Sequence, residues 1–152
     1  MPSQFESLIR EFGNIAGLES LSPNEHGECV FGIDDFVVTL AHRADCILFY
    51  APVGKMVAEN REALQARLLA GNYFFAETRG ATLGVSPFTD EIQLIYELPL
   101  TGVDVSVLIH VLEDFLDRLE FWADICRQGS AVAKKAVHIP LSKMSFFDGI
   151  RG

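Results

Sequence analysis

The residues that could do chemistry are few, and their spacing fits none of the common constellations. Gly84-Val85-Ser86-Pro87-Phe88 begins like the Gly-x-Ser-x-Gly turn that presents a nucleophilic serine. Phe88 replaces the second glycine, and a turn and a strand pattern follow where that motif needs a helix, so a serine hydrolase is not supported. His26, His42, His110 and His138 are scattered, with neither the i, i+4 pairing nor the cysteine partners of a zinc site. His110 stands one helical turn from Asp114, the spacing of an ordinary helix contact. Cys29, Cys46 and Cys126 are odd in number and far apart, which reads as buried reduced thiols rather than a disulfide framework or a Cys-x-x-Cys site. Asp34-Asp35 and the carboxylates of Glu113, Asp114, Asp117, Glu120 and Asp124 would have to converge in a pocket to hold a metal or to work as acid and base. A turn and a solvated helix face account for them instead. Gly80 to Gly84 is too short for a phosphate-binding loop and lacks its lysine. The sequence therefore argues against an enzyme and calls for no cofactor and no metal. What remains is binding.

The elements that would carry a binding surface are legible in the pattern. Ser3-Gln4-Phe5-Glu6 fits a capping box, and Phe5, Leu8, Ile9, Phe12 and Ile15 recur at helical spacing behind it. Their stripe serves as a core face or as half core and half binding groove. Three strand-like runs follow, Cys29 to Ile33, Phe36 to Ala41 and Cys46 to Ala51. Their connections, Asp34-Asp35 and His42-Arg43-Ala44-Asp45, are short enough for an antiparallel meander. Pro52 and Gly54 are expected to end the third strand, a helix to run from Met56 to Leu69, and Gly71-Asn72 to stop it. Strands over Thr82 to Ser86 and Glu91 to Leu98 precede the longest helix, Asp104 to Arg127, with Val107, Val111, Leu112, Phe115, Leu119 and Trp122 on its apolar side. The order α-β-β-β-α-β-β-α predicts an α+β fold, a twisted antiparallel sheet of about five strands with three helices.

At 152 residues and 49% hydrophobic composition, the chain is long enough for one packed core and too apolar to be disordered. Net charge is −9, which would repel nucleic acid. No apolar run reaches the roughly 18 residues of a membrane span, and the N-terminus lacks the basic start and apolar stretch of a signal peptide, so a cytoplasmic protein without membrane insertion is expected. The pattern fails from Gly129 onward, dividing the chain into a domain over 1–128 and a tail over 129–152. The tail carries Lys134, Lys135, Lys143 and Arg151 against Asp148, a net of +3, which leaves −12 for residues 1–128. Phe146-Phe147 is a candidate plug for an apolar groove. An acidic domain with an apolar first helix and an open sheet edge suits the holding of an extended chain, whose backbone pairs with the edge while alternate side chains fill pockets.

Leu68-Leu69-Ala70-Gly71-Asn72-Tyr73-Phe74 and Gly80-Ala81-Thr82-Leu83-Gly84-Val85 resemble the middle signature of the class I type III secretion chaperones, the Tir-chaperone family. Asp90-Glu91 leading into Ile92-Gln93-Leu94, then Leu98-Pro99-Leu100 and a last helix carrying Trp122, is similar to that family's second half. The resemblance covers roughly residues 3 to 127 and departs at the tail. It implies a homodimer in the bacterial cytoplasm that binds the N-terminal region of secreted effectors, keeps it non-globular and delivers it to the secretion apparatus. The apparatus ATPase is a further candidate partner, and the chaperone uses no ATP itself. By position, the resemblance places the dimer interface at Leu64, Leu68, Leu69, Tyr73, Leu83 and Val85. Effector contact falls on Phe5, Leu8, Phe12, Val30, Phe31, Phe36, Val38 and Phe49, about half of which must be core because strand neighbours point to opposite faces. The alternatives are a non-catalytic regulatory or structural subunit that pairs with a folded partner, and an acid-base enzyme, for which the acidic patches give no converging pocket.

Overall fold

The structure, a computed structural model, describes residues 1–131. Helix α1 (Gln4–Ala16) starts where Ser3 and Glu6 exchange hydrogen bonds. The Ser3 hydroxyl accepts from the Glu6 amide at 3.1 Å, and the Glu6 carboxylate accepts from the Ser3 amide at 2.8 Å. Two amides that a helix start leaves open are thereby satisfied. Gly17, in the left-handed region at φ 74°, closes the other end by donating to the Gly13 carbonyl. Phe5, Leu8, Ile9 and Phe12 are buried, so the stripe of α1 is core, with Ile15 exposed beyond it.

Strands β1 (Glu28–Ile33), β2 (Phe36–Arg43) and β3 (Cys46–Lys55) form the expected meander. Helix α2 (Arg61–Asn72), strands β4 (Thr82–Val85) and β5 (Glu91–Pro99), and helix α3 (Val105–Ala131) complete the domain. The sheet is antiparallel throughout, in the order β1-β2-β3-β5-β4, so β4 is an edge strand and β5 lies beside β3.

Several boundaries move from their expected places. β2 extends through His42 and Arg43, leaving Ala44-Asp45 as a two-residue turn with Ala44 at φ 50°. β3 does not stop at Pro52: it continues to Lys55 through a register shift between Pro52 and Gly54, where a missing backbone donor is tolerated. A 3-10 turn over Ala58–Asn60 delays α2 to Arg61. α3 passes through Gly129, and the tail beyond Ala131, with Phe146-Phe147, lies outside the described residues.

Both long helices pack on one face of the sheet. Phe5 of α1 stacks on His42 at 5.1 Å between ring centroids, and Phe12 meets Phe31 at 5.4 Å. Phe115 of α3 sits edge-on to Phe49 at 5.8 Å. The register puts Phe31, Val38, Leu40, Phe49 and Leu94 on this covered face and Val30, Thr39, Tyr50 and Ile95 on the other.

α2 packs on α3 most closely at Gly71. A Cβ on Gly71 would overlap the Trp122 ring carbons Cη2 and Cζ2, so this position admits no side chain as the helices stand. Trp122 is fully buried, and its indole N–H donates to the Glu77 carbonyl at 3.0 Å. The Arg67 guanidinium lies 5.0 Å from the same ring and holds Glu77 through two hydrogen bonds, 3.0 and 2.6 Å. Asn72 then reaches β4: its amide donates to the Leu83 carbonyl at 2.9 Å and accepts from the Leu83 N–H at 2.8 Å. α2 ends at Asn72 as expected, and Gly71-Asn72 is in addition a packing and edge-capping pair.

An exposed helix-interior glycine is usually stabilised by alanine by up to about 1 kcal/mol. Gly71→Ala reverses the sign, because overpacking against Trp122 costs roughly 1–3 kcal/mol. Urea unfolding checks this: the midpoint falls at an unchanged slope, and a raised midpoint would refute the close approach.

Candidate protein-binding surfaces

The groups singled out for chemistry occupy structural places. The Ser86 hydroxyl accepts from the Phe88 and Thr89 amides at 3.2 and 3.3 Å, which makes it a turn residue. Asp34 holds the β1–β2 turn at φ 52°. His110 lies 3.8 Å from Asp114 along the exposed side of α3. Among the described residues, no cluster of three or more His, Cys, Asp or Glu side chains is placed to hold a metal, and no helix is long and apolar enough to cross a membrane.

The uncovered face of the sheet is the first surface with binding character. The pairs Val30 with Thr39, Thr39 with Tyr50, Tyr50 with Ile95 and Ile95 with Thr82 make one row from edge strand to edge strand. Val30 and Val37 are each 54% exposed, while Tyr50 and Ile95 are half-buried. A polar rim borders the row at β1. Glu28 accepts from the Tyr50 hydroxyl at 3.1 Å and pairs with Arg43 at 3.5 Å. Hydrogen bonds from Asn24 and Tyr50 hold the Glu28 carboxyl below its ordinary range, and burial, with Glu28 beside it, pushes Tyr50 up.

Six of the eight expected effector contacts, Phe5, Leu8, Phe12, Phe31, Val38 and Phe49, are buried within the protomer. They stand on α1 or on the covered face of the sheet. Phe36 is half-buried against the core, and Val30 alone of the eight lies on the open face. Val37 was missed: it sits between Phe36 and Val38, and strand alternation turns it outward.

The end of α2 is the second surface. Leu69 is 70% exposed, Tyr73 sits one turn further on, and Phe74 and Phe75 follow, all exposed. Tyr73 and Phe74 pack edge to face at 4.7 Å. Phe74 and Phe75 adopt φ 51° and 56°, a left-handed conformation that costs an aromatic residue roughly 1–3 kcal/mol and persists where the surroundings dictate it. Of the expected interface residues, Leu69 and Tyr73 lie on this surface. Leu64, Leu68 and Leu83 are buried in the protomer, and Val85 is half-buried against its core. Phe74 and Phe75 belong to the same surface, and their signal was the run of aromatics just past the helix end.

An α+β domain with two apolar surfaces uncovered among the described residues, in a chain of net charge −9, is built to meet other proteins. The family model of the Tir chaperone protein (CesT) family matches residues 7–123. The chain belongs to that family. The "Tir chaperone" of Escherichia coli O157:H7 is 27% identical over 122 residues, which span 79% of this chain and 78% of that protein. A chain in the solved ExsC-ExsE complex aligns with TM-score 0.70 and 25% identity over 80% of this chain and 92% of its own length. A chain in the HopA1-SchA chaperone-effector complex aligns with TM-score 0.69 and 20% identity over 80% and 94%. Membership implies a chaperone that works by binding, without a reaction.

The thiols of this chaperone agree with structural roles. Burial pushes Cys29 and Cys126 up to about 11, and Cys46 rises through burial and the nearby Glu97 carboxylate. A shift from about 9 to about 11 lowers the thiolate fraction near neutral pH about 100-fold. Iodoacetamide at pH 8 is therefore expected to label Cys29 and Cys126 at least that much more slowly in native protein than in urea, as read by mass spectrometry. Both thiols are favoured neutral in the fold, so the stability they confer is full below pH 9 and is lost as pH rises towards 11.

Proposed function

We propose that this protein is a type III secretion chaperone that binds the N-terminal segment of effector proteins as a homodimer in the bacterial cytoplasm. It keeps that segment non-globular and presents it to the secretion apparatus, whose ATPase is a second partner. The observation that carries this reading is the pairing of family membership over residues 7–123 with two apolar surfaces left uncovered by the protomer's own helices. Leu69, Tyr73, Phe74 and Phe75 at the end of α2 supply the dimer face. An isologous pair buries each copy's exposed leucine and aromatics at once, and removal of apolar area is the dominant favourable contribution to association. The open sheet face around Val30 and Val37, with edge strand β1 beside it, receives the extended client. Backbone pairing at that edge is indifferent to client sequence, and apolar side chains add affinity by lying on the valines. Two copies of the face in a dimer let one client chain gain from linked contacts.

Light scattering on the purified full chain, alone and coexpressed with an N-terminal effector fragment, tests the reading. A dimer of twice 16.8 kDa that retains one client fragment is expected. A monomer that ignores every such fragment would favour a regulatory subunit built on the same fold. Leu69→Asp places charges in the proposed interface and is expected to yield monomers with an unchanged thermal midpoint at low protein concentration. Leu68→Asp instead buries a charge inside the protomer and unfolds it, so the pair separates interface from core. Val30→Asp should leave the dimer intact and weaken client binding at least tenfold, about 1.4 kcal/mol, by calorimetry.

A further inference from the structure

One pocket, beside the turn that follows the aromatic surface, has two arginines in its walls although the protein is acidic. It is a cavity of about 70 Å³ between the turn before β4, strand β5 and helix α3, with Thr78, Arg79, Tyr96, Asp114, Phe115 and Arg118 among its walls. That volume is several times the ~10–15 Å³ that one water needs and far below that of a nucleotide. The turn is tight: the Ala81 N–H donates to the Thr78 carbonyl at 3.1 Å, and Gly80, at φ 87°, lets the backbone lie against Tyr96. Thr78 is 1% exposed, yet its Oγ1 has no hydrogen-bond partner among the described residues. The same holds for the buried Nε of Arg118.

We propose that this pocket is an oxyanion site, taking a carboxylate or a phosphate group. Two guanidinium groups, Arg79 and Arg118, line one small cavity in a chain of net charge −9. Asp114 is the counter-charge at the wall, but it stands 3.8 Å from Arg79, and both side chains are more than half exposed, so the pair is weak. Asp117 also faces Arg118 electrostatically. Burial and the neighbouring Arg79 both disfavour the charged form of Arg118, which an anion between the two would relieve. A water could fill the hydroxyl's hydrogen bond but would add no charge to the partial offset that Asp114 and Asp117 give the two cations. An oxyanion accepts from the Arg118 Nε–H, the Arg79 guanidinium and the Thr78 hydroxyl together, over an apolar floor formed by Phe115. The anion comes either from solution or from an acidic side chain of a bound client, and the second source rests on the chaperone reading.

The test follows the Arg118 Nε–Hε signal of the full chain by NMR during titration with sodium phosphate and with sodium acetate, sodium chloride holding ionic strength constant. A saturable shift with the oxyanions, weakened at least tenfold by Arg79→Gln and by Thr78→Val, is expected. Arg79→Gln is an exposed change, which keeps the test valid where Thr78→Val does not fold. A drift equal to that in chloride, or saturation unchanged by Arg79→Gln, would overturn the site. Repeating the titration on the complex with a client fragment assigns the source. A signal already shifted and indifferent to phosphate identifies a client carboxylate, and one that still titrates identifies a free anion. The first titration needs no client, so failure of the site and failure of the chaperone reading remain separate results.

Discussion

The packing of Gly71 against Trp122 is the constraint on which the binding surfaces depend. Because no side chain intervenes, α2 comes close enough to α3 for the buried indole to meet helix backbone directly. That closeness lets the indole N–H reach the Glu77 carbonyl and lets Arg67 cover the ring while gripping the Glu77 carboxylate. The chain leaving α2 is therefore tied back at Glu77. Asn72, one residue past the glycine, is delivered to the edge of β4, where its side-chain amide takes the place of a neighbouring strand at Leu83. An open sheet edge invites uncontrolled pairing, and a side-chain cap at this point blunts it.

The segment between the two ties, Tyr73 to Ala76, has little freedom left. Phe74 and Phe75 are held in left-handed conformations with their rings exposed, which costs free energy in the isolated protomer. In the proposed dimer, burial of the rings offsets that cost. The same ties place Thr78 and Arg79 opposite Arg118 of α3, so the polar pocket is a by-product of the geometry that presents the aromatic patch. One contact between helices thus sets the form of two neighbouring features.

The sheet divides the remaining labour. Its covered face takes Phe5, Leu8, Ile9 and Phe12 of α1 and the inward side of α3 into one core. Its open face keeps Val30 and Val37 partly in water beside a hydrogen-bonded rim of Glu28, Tyr50 and Arg43. In the proposed dimer that face is offered twice, so contacts weak at any one place would add along one client chain. High negative charge favours solubility in a protein that carries such a surface.

Local patterns determined the elements. Ser3 and Glu6 make a capping box by spacing alone, the meander follows from short turns between β-rich runs, and the order of three helices and five strands comes from periodicity. The acidic character and the family resemblance were equally present in the one-dimensional string. The tertiary structure decided which side of each apolar element meets water. Leu68 and Leu69 are the same residue type at adjacent positions, yet one is core and the other surface, because burial is set by the second element that packs there. The same reason separates Phe31 from Val30 and gives Gly71 a packing role in addition to its place at the helix end. Arg79 and Arg118 lie far apart in sequence, and no local rule joins them: they meet because α2 and α3 touch at Trp122, a contact between distant segments that periodicity does not encode.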